Sequence, residues 1–161
     1  MSEAGDFIDS ALQYESSWQR AEEHAAAIGD GLEYYGASVG AIRGTLRDAS
    51  RRYPALAHDD VTALSSELWS RPVYESRLAA IVLLQSNVAI LRHTDLTRIE
   101  GFLRTAVAPA LVDTLARDVV APLLAALDAT PASRAHAVLD RWSAGTDPEL
   151  RRAAELVRNA S

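Results

Sequence analysis

Asp113 lies inside ALVDTLA, residues 110–116, a helical run that is otherwise apolar. An ionised carboxylate in such a place needs a partner, a shifted pKa or a chemical task. Arg117 stands four residues on and offers an i,i+4 ion pair, and an Arg on a neighbouring helix would serve as well. A lone carboxylate can also stabilise positive charge that develops as a bond breaks. Arg151 and Arg152 open the last helical segment, PELRRAA, where the helix dipole disfavours cations. Each therefore calls for an anion, either a carboxylate such as Asp113 or Asp118 or a phosphate. Arg43, Arg47, Arg51 and Arg52 share much of one helical face. That face is either a solvated surface or a stripe that tracks phosphates, and Arg92, Arg98 and Arg104 could extend it. Glu75 and Arg77, in VYESRLAA, are two residues apart and so do not face each other on a helix. They read as structural links between helices.

Other chemistries find no footing. The chain has no cysteine, and His24, His58, His93 and His136 are scattered outside any metal-ligand spacing. Neither a metal nor a cofactor is expected. The segment GASVG, residues 36–40, lacks the Lys and the preceding strand of a phosphate loop, and no serine sits in a nucleophile elbow. Trp18, Trp69 and Trp142 have apolar neighbours and read as core, while Tyr34 and Tyr35 either pack or line a groove.

These groups must be positioned by a chain of 161 residues, 48% hydrophobic, enough for one domain with a real core. No signal peptide is expected, and the longest apolar run, residues 78–91, is interrupted and too short to span a bilayer. A cytoplasmic location follows. All 16 basic residues are Arg, which reflects either genomic base composition or a use for planar forks on phosphate. The net charge of −6 argues against a general nucleic-acid binder. It is unevenly spread: residues 1–35 hold eight acids and one Arg, whereas the rest holds 14 acids and 15 Arg.

Almost nothing reads as strand. Helical patterns recur with start and stop signals. The first region, from about Asp6 to Ile28, breaks near residues 15–17 and ends at Gly29 and Gly31. Ser38 caps a helix that stops before Pro54. Asp59 and Asp60 favour a start, Pro72 suits the first turn of a helix to Leu91, and Thr94 and Asp95 open another. Pro109 begins the helix holding Asp113, which Pro122 must kink or split. Pro131 precedes a helix to Trp142, and Asp147-Pro148 caps the last one. About nine helices with short links predict an all-α fold, a single domain over 1–161 with an acidic helical region (1–35) and a body (36–161). Such pairs suit an α-solenoid of antiparallel helix pairs, with a plain bundle as the alternative.

In order, residues 68–85 (LWSRPVYESRLAAIVLLQ), 110–116 (ALVDTLA) and 139–154 (LDRWSAGTDPELRRAA) resemble the HEAT-like-repeat DNA alkylation repair family, alkylpurine DNA glycosylases of the AlkD type. The likeness covers most of the chain from about Tyr35. It implies an α-solenoid whose groove binds alkylated duplex DNA and excises cationic N3- or N7-alkylpurines. Asp113 would face the concave side, with an Arg nearby, and stabilise an oxocarbenium-like transition state. Arg151, with Arg152, would meet the DNA backbone, and Arg43 and Arg47 would add phosphate contacts. Here the sequence departs from the family. Its tryptophan four residues before the Asp is Pro109, its second aromatic is Glu149, and the C-terminus looks shortened. Lost aromatics weaken the hold on a cationic base by about 1–2 kcal/mol each. A non-catalytic module that binds DNA or protein, or a helical scaffold that shares only the family's structure, therefore stays open. Self-association through Leu150, Ala153, Ala154 and Val157 on the last helix is a further possibility.

Overall fold

The structure, a computed structural model, describes residues 1–160. The described residues are all-α, as the periodicity predicts, with ten α-helical segments forming nine helices because two are continuous. The chain divides into two compact units, Met1–Leu84 and Gln85–Ser161.

In the first unit, α1 (Glu3–Tyr14), α2 (Trp18–Ile28) and α3 (Val39–Arg52) each begin at a serine cap. The hydroxyls of Ser2, Ser17 and Ser38 accept from the backbone N–H three residues on, satisfying donors that the helix leaves open. Helix α4 (His58–Ser70) starts without such a cap, and Asp60 accepts from the Ala57 N–H instead. Helix α1 packs on α3 and α4 through a core that includes Ile8, Leu12, Ile42 and Leu68. In α5 (Tyr74–Ser86) every residue from Glu75 to Leu84 is buried, so its hydrophobic run needs no polar face.

The structure corrects three local expectations here. Pro72 precedes α5: its carbonyl accepts from the Glu33 N–H (2.8 Å), and Tyr74 N–H returns a bond to Glu33 (2.9 Å), a single parallel bridge that delays the helix. Helix α5 ends at Ser86, and a 3-10 turn, Val88–Ile90, takes up the residues expected to extend it. Trp18 is 78% exposed, whereas Trp69 and Trp142 are core.

The second unit holds α6 (Leu96–Arg104), α7 (Pro109–Leu115), α8 (Ala121–Ala126), α9 (Ala129–Ala144) and α10 (Pro148–Asn159). Pro122 does not split its element. A π-helical stretch, Ala116–Val120, joins α7 to α8 in one run just before the residue that lacks an N–H to donate. Helix α9 begins two residues ahead of Pro131, which falls in its first turn. Helix α10 packs against α6, α7 and α9. Leu150, Ala153, Ala154 and Val157 are the residues that do so, each at most 4% exposed. The surface expected to mediate self-association is therefore interior. Burying Leu150 alone contributes about 1.5–3 kcal/mol, and that gain is realised within the chain.

Candidate functional site

The chemistry-bearing residues of the second unit meet where α10 crosses α7. Ala153 and Ala154 are small and fully buried, which lets α10 come close. Its start is fixed by Asp147, whose carboxylate accepts from the N–H groups of Glu149 (2.9 Å) and Leu150 (3.1 Å). Arg104 of α6 reaches the same carboxylate at 3.4 Å. Glu100, also on α6, accepts from the Trp142 indole (2.6 Å) and pairs with Arg104 (3.6 Å) and Arg141 (3.5 Å), holding α9 beside it. Arg158 near the end of α10 pairs with Asp140 and donates to Ser143, which ties that end to α9.

Held in this way, α10 presents Arg152 to Asp113. Arg152 Nε donates to Oδ1 at 2.6 Å and Nη2 to Oδ2 at 2.8 Å, a two-pronged fork. These bonds hold the Asp113 carboxyl below the usual range, with help from the charges of Arg152 and Arg117, against a smaller upward push from burial. The same bonds raise Arg152. The Asp113 side chain stays 23% exposed. The group is therefore an anion at neutral pH, fixed in orientation and open to solvent.

The fork comes from α10 rather than from Arg117, which acts only as a nearby charge. Of the adjacent arginines, Arg152 is the one that pairs; Arg151 is exposed and makes no ion pair among the described residues. Pro109, one turn before Asp113, is exposed, and Glu149 is partly so. The entry to α7 is strained: Val107 has φ 67° and is 58% exposed, and Ala108 N–H bonds Ala106 O across it at 2.7 Å. A β-branched residue in that region costs about 1–3 kcal/mol.

Arg43 and Arg47 lie on α3 of the first unit, both exposed. On the same helix Arg51 stands 3.9 Å from Asp48, and Arg52 lies over the rings of Phe7 and Tyr53. Glu75 and Arg77 are indeed interhelix links. Arg77 Nε donates to the carbonyls of Trp69 (3.1 Å) and Arg71 (3.2 Å), closing the end of α4, and its guanidinium lies 5.2 Å from the Trp69 ring. Burial lowers its pKa.

Sequence reasoning missed the polar centre around Glu75, which is 0% exposed. One oxygen accepts from Tyr35 N–H (2.7 Å), the other from Gly36 N–H (3.2 Å), and His24 Nδ1 lies 3.0 Å from the latter. Beside it Asp9 accepts from Tyr35 Oη (2.8 Å) and Gln13 (2.7 Å) and pairs with Arg71 (3.3 Å). Tyr34 and Tyr35 thus pack within this unit. Apart from Gln13, four residues from Asp9, the partners stand 26 to 62 residues apart and leave no local signal. The buried Glu in an apolar helix was the one available clue.

Among the described residues no helix is long and apolar enough to cross a membrane, and no three His, Cys, Asp or Glu side chains converge on a metal position. No curated protein matches the sequence. A family model described as DNA alkylation repair enzyme matches residues 8–157, from the first turns of α1 to the last turn of α10. That span takes in Asp113, both members of its ion pair and the whole Glu75 centre, and the chain belongs to the DNA alkylation repair family.

Proposed function

We propose that this chain is a cytoplasmic DNA glycosylase that excises cationic N3- or N7-alkylpurines from alkylated duplex DNA. The observation that carries the reading is an ionised Asp113, fixed by Arg152 and still open to solvent. An alkylated purine already bears positive charge and departs as a neutral base when its bond to the sugar breaks. The electron pair leaves with the base, and the cation passes to the deoxyribose. A fixed carboxylate favours that oxocarbenium-like state, and water then adds to the sugar carbon and loses a proton. No acid is required to release the base, so one carboxylate suffices. Arg151, free of any ion pair, would meet the backbone beside the lesion, and Arg43 and Arg47 would add phosphate contacts.

A second reading has its own observation. Arg152 engages both oxygens of Asp113, and neither Pro109 nor Glu149 offers a ring to a cationic base. In that reading the chain is a non-catalytic module that binds DNA or protein. The test is release of 7-methylguanine from methylated duplex DNA by the purified chain and by Asp113→Asn. Release that vanishes in the variant upholds the glycosylase. No release from either protein, with salt-dependent binding of the duplex retained, upholds the module.

A further inference from the structure

Among the α-helices of the described residues, α2 alone buries no residue. Its inner side is tied down by polar links: Arg20 donates to the Gly36 carbonyl (2.9 Å), and His24 meets Glu75 (3.0 Å). Its outer side is two adjacent i,i+4 rows, Trp18-Glu22-Ala26 and Gln19-Glu23-Ala27, exposed throughout. Trp18 is 78% exposed on this face. A large aromatic left in water beside charged groups suits a contact anchor, a role for which tryptophan is favoured. The two alanines leave low relief where another backbone could approach.

The charge of this region says what covers it. Of the eight carboxylates in residues 1–35, only Asp9 has a cationic partner among the described residues. The single Arg in that stretch, Arg20, is engaged by a carbonyl. Arg20 offsets one of these charges, and the excess of eight acids over one Arg leaves the stretch strongly negative, which repels nucleic acid and attracts cations. We propose that the outer face of α2 docks an arginine- or lysine-rich segment of a partner polypeptide, with one cationic side chain on the Trp18 ring and others paired to Glu22 and Glu23. Asp113 has no part in it, so Asp113→Asn leaves this binding intact.

The probe is an oligoarginine peptide titrated into the full chain. Acrylamide quenching is the second readout, because Trp69 and Trp142 are at most 4% exposed and the quenchable emission belongs to Trp18. Binding should shield Trp18, and Trp18→Ala or the pair Glu22→Gln, Glu23→Gln should weaken it about tenfold. The control pair Asp118→Asn, Asp128→Asn removes the same charge from the second unit and should change little. No binding overturns the proposal, as does an equal loss in the control pair, which would mean unspecific attraction. Concentration-dependent dimers of the free chain, abolished by Trp18→Ala, would overturn it in favour of a second copy.

Discussion

Glu75 and Asp113 are both single carboxylates in apolar helical runs, and the two units use them in opposite ways. Glu75 is 0% exposed and saturated by two backbone N–H groups and a histidine. Asp113 is 23% exposed and answered by one arginine fork. The first arrangement spends the carboxylate on holding a loop against a helix. The second fixes the direction of the charge while leaving a side of it accessible. Depth and donor type separate a structural acid from one available for chemistry, more than the apolar character of the surrounding sequence does.

The hardest blow to the comparison falls on Glu75. Glu75→Ala strands two buried N–H donors at about 1–3 kcal/mol each and should cost about 4 kcal/mol in total, read as a lower urea midpoint. Asp113→Ala should move that midpoint much less, by about 1 kcal/mol or under, because a pair open to solvent contributes little. Equal losses would mean that Asp113 too is a structural acid. Activity should sort the other way. Asp113→Asn should lower 7-methylguanine release about 100-fold with the fold intact, as loss of a preorganised charge does. Glu75→Gln should leave turnover per folded molecule unchanged, and a matching loss there would end the distinction.

The two acids also differ in how far they were legible. Helix existence was readable because caps and periodicity are local: Ser38 and Asp147 sit where their side chains accept the first N–H groups. Asp113 was readable as an acid in need of an arginine, and the choice between Arg117, Arg151 and Arg152 was not. That choice depends on how closely α10 approaches α7, which Ala153 and Ala154 set. Pro122 shows a different limit: its element is interrupted by a π-helical stretch rather than split, a form that the proline rule does not specify. Trp18 failed for a simpler reason. Glu15, Arg20 and Glu22 stand close to it in sequence, so no apolar stripe surrounds it, and it is left 78% exposed on α2.

Gly36 gives a sharper test of the Glu75 side. Its φ of 81° aims its N–H at the carboxylate, and a Cβ there would lie 2.0 Å from the Ser17 carbonyl oxygen. Gly36→Ala should therefore cost about 2–3 kcal/mol, from strain and from the shift of α2 away from the loop. A thermal melt checks it. A neutral result would mean that the loop can relax without losing the Glu75 cradle.

The gentlest test is pH, at which the two regions should weaken at opposite ends of the scale. The Tyr35 hydroxyl is pushed up to about 12, first by burial and then by its bond to Asp9. Its folded pKa lies above the unfolded value near 10, so its contribution is complete below about pH 10 and fades as pH rises through about 12. Asp113 is held below its ordinary value, first by the Arg152 bonds. Its contribution is complete above about pH 4 and fades as pH falls through the lower folded pKa. The difference in midpoint between the parent and Tyr35→Phe should thus shrink only in alkali, and that between the parent and Asp113→Asn only in acid. Should the Asp113→Asn difference persist undiminished in strong acid, the fork would not depend on the charge of the carboxylate, and the contrast between a structural and an available acid would lose its electrostatic basis.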